Sequence, residues 1–368
     1  MGLRLKEVRE GNTRLYVPEK RDMTKKDPVF YNPVMELSRD LSILVASAAK
    51  TERFCDLLAG SGARGVRIAN ETDAHVVAND VNPLAYELME KNRDVNKAVM
   101  ELSNTDANRL LADRRFDYID IDPFGSPVQF LDSAMRAVDN KGILGVTATD
   151  TAALCGTSPR ACMRKYDAAP LRTDHYNELG LRILIGFIAR CAMRHGKGIR
   201  PLFSHCTSHY FRTYLQVLRG SGKANAALEK LGYIQYCPSC LYRGYASLKD
   251  LKDLCHCGGR LQKGGILWTD PFAEQAFCEK MHAELETRKP GKAKEAGKLI
   301  DTIKAEQAIT IPYYDIHKIA KKIGVQVKPR EEITKYLDTK GFKAVRTHFS
   351  DLGLRTDADL QDLYDAIE

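Results

Sequence analysis

A chain of 368 residues that is 44% hydrophobic and 28% charged has the composition of an ordinary globular protein and enough length for two or three domains. No apolar run is long enough to span a bilayer. Residues 1–30 carry Arg4, Lys6, Arg9, Arg14 and Lys25 without the apolar core of a secretory leader, so a cytoplasmic protein is expected. The net charge of +8 and the ten cysteines point to a polyanionic partner and to a reduced interior, where clustered thiols bind metal more often than they form disulfides.

Residues 54–65, Phe-Cys-Asp-Leu-Leu-Ala-Gly-Ser-Gly-Ala-Arg-Gly, read as a short apolar strand running into glycines and then into a helix from about Val66. Gly60, Gly62 and Gly65 let the backbone turn tightly and approach a ligand, a pattern that dinucleotide enzymes share. A second strand, residues 75–78, ends in Asn79-Asp80, where a carboxylate can hold two ribose hydroxyls. After a helix over residues 85–96 and a short strand at 99–102, Asp106 is placed either to reach an adenine amino group or to cap the turn that follows.

Residues 117–127, Asp-Tyr-Ile-Asp-Ile-Asp-Pro-Phe-Gly-Ser-Pro, are the most informative stretch. Tyr118, Ile119 and Ile121 form a strand buried on both faces. Pro123 and Gly125 force the chain out of the sheet at its carboxyl edge, where open α/β sheets bind ligands. Asp122 and the Pro123 carbonyl can accept hydrogen bonds from an exocyclic amine, and the Phe124 ring can stack on a base for about 1–3 kcal/mol. An Asp-Pro turn is the plainer reading of the same residues. The order glycine loop, Asp80, Asp106, Asp122-Pro123-Phe124 separates the alternatives: a hydride-transfer enzyme has no use for the last element. The strand at 142–149 continues the alternation of strand and helix.

Between residues 160 and 223 lie Arg160, Arg164, Lys165, Arg172, Arg182, Arg190, Arg194, Lys197, Arg200, Arg212, Arg219 and Lys223, opposed by Asp167, Asp174 and Glu178, a field that a polyanion would feel. Gly220-Ser221-Gly222-Lys223 reads as a linker. Cys237-x-x-Cys240 and Cys255-x-Cys257 read as two knuckles of a zinc ribbon with four thiolates on one structural ion, the short second pair leaving His256 as an alternative ligand. The other six cysteines, Cys55, Cys155, Cys162, Cys191, Cys206 and Cys278, read as small core residues. Residues 289–294 form a flexible basic turn. Helices at 313–324 and 330–340 and a strand at 343–347 have the order of a small nucleic-acid-binding module, with Ile316, Ile319 and Ile323 in its core and Lys318, Lys321 and Lys322 on the other face.

Taken together, these residues resemble the tRNA (guanine26-N2)-dimethyltransferases of the archaeal type over essentially the whole length. The resemblance rests on Glu10-Gly11, Val17-Pro18-Glu19, residues 29–33 (Val-Phe-Tyr-Asn-Pro), Arg39-Asp40, the glycine loop, the Asp-Pro-Phe-Gly-Ser-Pro run, Thr149-Asp150, Leu154-Cys155-Gly156 and residues 343–349 (Lys-Ala-Val-Arg-Thr-His-Phe). It implies S-adenosylmethionine as cofactor and tRNA as partner. Arg39 and Arg64 would meet the methionine end, Asp80 the ribose, and Asp106 with Ala107 the adenosine; Asp56, Gly60, Gly62 and Val81 complete that set. It also implies Asp122 as the catalytic acceptor next to Pro123, with Phe30 and Phe124 sandwiching an extruded guanine. Residue by residue, Phe30 is otherwise a core plug, and Arg39 otherwise pairs with Asp40 or Glu36.

The expected fold is therefore α/β: a class I S-adenosylmethionine-dependent methyltransferase with a doubly wound, mostly parallel sheet over residues 1–219, a zinc-ribbon segment over 220–270 and a smaller α+β tRNA-binding domain over 271–368. A DNA adenine or cytosine N-methyltransferase and a tRNA-binding scaffold without activity are the rival readings. Oligomeric state and the choice between one and two methyl groups are not encoded visibly; a monomer suffices for every feature named.

Overall fold

The computed structural model describes residues 4–19 and 27–368. A hairpin of β1 (Leu5–Glu10) and β2 (Thr13–Pro18) precedes helix α1 (Glu36–Ala49). Strand and helix then alternate through β3 (Arg53–Asp56), α2 (Ala63–Glu71), β4 (His75–Asn79), α3 (Pro83–Asn96), β5 (Met100–Ser103), α4 (Ala107–Asp113), β6 (Phe116–Ile121), α5 (Val128–Ala137) and β7 (Val138–Ala148). Helices α6 (Thr151–Leu154), α7 (Pro159–Tyr166) and α8 (Tyr176–Arg194) lead to the hairpin of β8 (Lys197–Thr207) and β9 (Tyr210–Arg219).

These strands make one seven-stranded sheet in the order β5-β4-β3-β6-β7-β9-β8. Strands β3 to β7 are mutually parallel, and β9 runs against both of its neighbours. The chain leaves β3 toward one edge and returns at β6 toward the other, so the strand order reverses between β3 and β6. Ligands of doubly wound sheets bind at the carboxyl ends of strands at such a reversal. Phe54, Tyr118, Ile119 and Ile121 are fully buried, as befits strands covered by helices on both faces. Helix α2 begins three residues before the expected Val66, directly after Gly62. That glycine has φ +74°, and a Cβ there would lie 2.8 Å from Met89 Cγ, so both backbone and space demand glycine. Helix α3 is set by Asn82, whose side chain accepts from Leu84 N at 3.0 Å with Pro83 in the first turn.

After β9 come α9 (Ser221–Leu228), β10 (Leu231–Tyr236), β11 (Arg243–Ala246) and β12 (Gln262–Trp268), the three strands forming an antiparallel sheet in the order β11-β10-β12. The expected linker at 220–223 is instead the entry to α9, where Gly220 N donates to Gly196 O at 3.0 Å and Lys223 N to Gly220 O at 3.0 Å. Helices α10 (Gln275–Arg288) and α11 (Ala293–Glu306) add Phe277, Cys278, Met281, Ala296, Ile300 and Ile303 to the core of the large sheet. The basic turn between them is docked, with Lys292 N donating to Asp40 Oδ2 at 2.8 Å. The last module contains β13 (Tyr314–Asp315), α12 (Ile316–Ile323), α13 (Arg330–Thr339), β14 (Ala344–Arg346), β15 (Gly353–Thr356) and α14 (Leu360–Ile367), with sheet order β13-β15-β14. Its own core is Ile316, Ile319, Ile333, Leu337, Leu354, Leu363 and Ile367, joined by Tyr236 and Leu241 from the preceding segment.

Buried charges join the parts. Arg355 on β15 contacts Glu178 of α8 at 2.6 Å and Glu306 of α11 at 3.0 Å, all three side chains being fully buried. Arg182 holds Glu178 at 2.9 Å, and Arg243 holds Asp174 at 2.9 Å. The basic stretch of residues 160–223 is therefore not one surface. Arg182 and Arg212 are fully buried, Lys197 is buried and donates to the carbonyls of Met135 and Val138, and Arg190 donates to the carbonyls of Tyr166 and Ile266. Among its exposed members, Arg160 and Arg164 belong to α7, which follows the carboxyl end of β7, whereas Arg219 and Lys223 stand where β9 ends and α9 begins, at the amino end of β7. Removing one partner of a buried ion cluster leaves uncompensated charge, at a cost of about 3–5 kcal/mol. Arg355→Met is expected to lower the unfolding free energy by about that much, read by denaturant titration; a loss under about 1 kcal/mol would show that the cluster does not hold the modules together.

Candidate active site and cysteine cluster

The glycine loop after β3 and the Asp122–Gly125 loop after β6 face each other across the reversal of strand order. Between them is a cavity of about 800 Å³ lined by Phe30, Arg39, Asp56, Gly60, Arg64, Asp80, Asp122, Pro123 and Phe124 among others. That volume suits a nucleotide-sized ligand together with part of a second one. Asp80, at the end of β4, accepts from Gly60 N at 2.8 Å through Oδ2 and from Asn82 N at 2.9 Å through Oδ1. It thereby fixes the glycine loop while staying on the cavity wall. Asp56 is buried and accepts from Gly65 N at 2.8 Å; burial, then the neighbouring Asp120, push its carboxyl up to about 7 against the pull of Arg64.

Asp120 on β6 and Asp122, the residue after its last, are two residues apart along the chain and meet the same guanidinium. Arg64 bridges them: Nε lies 3.2 Å from Asp120 Oδ1, and Nη2 makes a short contact with Asp122 Oδ2. Nη1 donates to Ser42 Oγ and to Ser38 O. All three guanidinium nitrogens are thus engaged inside the protein, with Arg64 on the cavity wall beside the Asp122–Gly125 loop. Arg212 from β9 closes the far side of Asp120 and also donates to Thr147 Oγ1 at 2.7 Å. Burial raises the Asp122 carboxyl, but Arg64, Arg212 and a hydrogen bond from Thr147 outweigh it and hold it below the ordinary carboxylate range. The loop itself is pinned by Gly125 N donating to Thr149 Oγ1 at 2.7 Å and Thr149 N donating to Gly125 O at 2.9 Å.

Arg39 pairs with neither Asp40 nor Glu36. Its buried guanidinium grips Glu10 on β1 through Nε at 2.7 Å and Nη2 at 2.5 Å, and Tyr31 Oη donates to the same carboxylate at 2.6 Å. Phe30 and Phe124 do meet at the cavity, but edge to face, with centroids 4.7 Å apart and ring planes at 82°. No slot for a base lies between them. With nothing inserted, two rings favour this arrangement electrostatically, so a sandwich requires one ring to turn; Phe124 is half exposed. Asp106 caps α4, accepting from Asn108 N and Arg109 N through Oδ1, and Ala107 begins that helix in a buried position. Gly62, Val81, Asp106 and Ala107 are not on the cavity wall. Residues unsignalled in the sequence are: Ser208, His209 and Tyr210 from the β8–β9 turn line the cavity, and Glu10 orients Arg39. Only the Glu10-Gly11 pair carried a trace of this.

The four cysteines converge: Cys237 and Cys257 sulfurs are 3.6 Å apart, as are those of Cys240 and Cys255, and all four lie within 4.8 Å of one another. Thiolates about 2.3 Å from one tetrahedral zinc sit roughly 3.8 Å apart, so the donor set fits that ion without His256. Four protein ligands leave no open position, which makes the site structural.

The sheet with its single reversed strand, the glycine loop held by the Asp80 carboxylate and the Asp-Pro-Phe loop at the reversal define a class I S-adenosylmethionine-dependent methyltransferase. Comparison with known proteins narrows this. The profile of the family described as N2,N2-dimethylguanosine tRNA methyltransferase matches residues 11–368, and the chain belongs to that family. It is 39% identical to the tRNA (guanine(26)-N(2))-dimethyltransferase of Methanobrevibacter smithii over 99% of this chain and 97% of that one. Its identity to the Methanosarcina barkeri enzyme of the same name is 40% over 98% of each. The structure of Trm1 from Pyrococcus horikoshii with S-adenosyl-L-methionine superposes with a TM-score of 0.90 at 37% identity, covering 99% of this chain and 100% of that one.

A carboxylate whose pKa is depressed stays charged at lower pH than usual, so its function is lost only as pH falls through that depressed value. Arg64→Gln removes the strongest pull on Asp122 and is expected to raise its pKa, moving the acid limb of the kcat profile upward. An acid limb unchanged in this variant would mean that Arg64 does not tune Asp122.

Proposed function

We propose that the chain transfers methyl groups from S-adenosylmethionine to the exocyclic N2 amine of guanine 26 in tRNA, to the dimethyl product. The observation that carries this is Asp122-Pro123-Phe124 leaving the sheet at the strand reversal, opposite the glycine loop. Bound S-adenosylmethionine supplies an electrophilic methyl carbon on a sulfonium. Arg39, Asp56, Gly60 and Asp80, which line the cavity, would hold the cofactor, with Gly62 shaping the loop and Val81, Asp106 and Ala107 backing its adenosine end from behind the wall. Arg64 acts one step back, through Asp122.

The lone pair of guanine N2 is delocalised into the ring, which makes it a poor nucleophile. Asp122, held as a carboxylate, accepts one N–H and the Pro123 carbonyl accepts the other, so the nitrogen can become tetrahedral with its lone pair aimed in line. As the new N–C bond forms and the S–C bond breaks, Asp122 takes the released proton directly or through water. Phe124 stacks on the base once Phe30 or Phe124 has turned, and extrusion brings the base there. The functional parts are a methyltransferase unit over 1–219, which α10 and α11 buttress, the cysteine segment over 220–270, and an RNA-facing module within 271–368 that carries Lys318, Lys321 and Lys322 on its exposed side. No helix among the described residues is long and apolar enough to cross a membrane; a cytoplasmic location and a monomer accord with free cysteines and a complete pocket in one chain.

Incubation with tRNA and cofactor should yield dimethylguanosine by nucleoside mass spectrometry, whereas duplex DNA should yield no methylated base; the reverse would favour the DNA-modifying rival. Asp122→Ala is expected to abolish transfer while keeping cofactor affinity within a few-fold, and Asp80→Ala to lose cofactor affinity, both read by calorimetry. Loss of cofactor binding in Asp122→Ala would move that residue into the cofactor site.

Purified protein is expected to carry one zinc per chain by elemental analysis. Cys257→Ser should lose it and His256→Ala should keep it, and metal near zero in protein prepared without chelator would leave the four thiols as ordinary reduced cysteines.

A further inference from the structure

Helix α7 combines two observations that the pocket does not explain. Its inward face is Cys162 and Tyr166, both fully buried, one helical turn apart. Its outward face is Arg160, Met163 and Arg164, all exposed, with the two arginines about 6 Å apart along the axis. Neither makes an ion pair among the described residues, and exposed Arg172 follows six residues after the helix. The helix follows the segment that leaves the carboxyl end of β7.

The helix is also wired to the catalytic loop. Tyr166 Oη donates to Asp150 Oδ1 at 2.6 Å and accepts from Ser126 Oγ at 3.0 Å, and Lys165 Nζ donates to Asp150 Oδ2 at 3.0 Å. Asp150 follows Thr149, whose paired bonds to Gly125 fix the loop. A chain of hydrogen bonds thus runs from the last turn of α7 to Ser126, two residues from Phe124.

A base swung out of its stack must be held by the phosphates on either side, and such contacts position a nucleic acid without reading its sequence. Arginine forks suit phosphate oxygens better than any other side chain. We infer that α7 is the surface that grips the phosphates flanking the target nucleotide, through Arg160 and Arg164, and that Tyr166 and Asp150 transmit that grip to the catalytic loop as positioning residues. This rests on the tRNA-modifying function proposed above.

The test uses the full chain and tRNA binding across a salt series. Arg160→Gln with Arg164→Gln removes two phosphate contacts and is expected to flatten the slope of log K against log salt by about 1.4 to 1.8 units, with cofactor affinity unchanged. Arg219→Gln with Lys223→Gln, where β9 ends and α9 begins, is the control and should keep the parent slope. Tyr166→Phe keeps the packed ring but loses both hydrogen bonds; it is expected to lower kcat at least several-fold with tRNA affinity and cofactor affinity retained. A parent slope in the α7 double variant, or an equal loss in the control, overturns the surface. Parent kcat in Tyr166→Phe overturns the coupling. A parent protein that neither binds nor methylates tRNA defeats the proposed function instead, which keeps the two failures apart.

Discussion

The Arg64 bridge between Asp120 and Asp122 is the interaction on which the site depends. Two carboxylates brought together out of water, Asp120 on β6 and Asp122 just after it, repel each other unless cations complete the set. Arg64 supplies one from α2, and Arg212 supplies the second from β9. Strand β9 carries Arg212 from two positions away, across β7, to Asp120. Gly145 on β7 leaves the room: a Cβ there would lie 2.9 Å from both Arg212 Nη2 and Asp120 Oδ2. Strand β9 and the charge of Asp122 are therefore parts of one arrangement.

The same device recurs away from the pocket. Arg67 meets Asp40 at 2.6 Å and Glu71 at 3.0 Å under the N-terminal hairpin, and Arg355 joins α8, α11 and β15. Glu306 accepts from Thr347 Oγ1 at 2.7 Å and contacts His348 Nδ1 at 2.5 Å, while His348 Nε2 receives Cys206 N–H at 3.2 Å near the end of β8. Residues 343–349, which carried part of the family resemblance, thus brace the β8–β9 hairpin whose turn lines the cavity. Paired ions of this kind add less to stability than apolar packing would, but they penalise wrong arrangements strongly, which suits the joining of separate modules at a fixed angle.

Local chemistry was legible in the sequence; long-range partnership was not. The glycine loop, Asp80 and the Asp-Pro-Phe run were readable because strand ends, turn residues and polar residues at a strand terminus have short-range signatures. The partner of Arg39 was not, since Glu10 lies 29 residues away in a different element and nothing local favours it over Asp40 or Glu36. The basic stretch misled for the same reason: counting cations along the chain cannot separate Arg164, which faces solvent, from Arg182, whose guanidinium is buried against Glu178 and three carbonyls. Gly220-Ser221-Gly222 has linker composition, yet Gly220, at φ +123°, makes the turn that enters α9.

The cysteine cluster gains its meaning from what surrounds it. Tyr236 precedes Cys237 and Leu241 follows Cys240, and both belong to the core of the C-terminal module. Tyr364 of α14 donates to Cys240 O at 2.5 Å, and β12 on the other side of the segment packs along α8. A four-thiolate ion at this point would fix the short Cys-x-x-Cys and Cys-x-Cys loops, which have too little apolar surface to hold themselves. Its effect would reach the C-terminal module through Tyr236, Leu241 and Tyr364, and the large sheet through α8, the helix whose Glu178 anchors Arg355. A metal there and the buried ion pairs would act on the same joint from two sides, so the orientation of the C-terminal module relative to Asp122 would follow from both together.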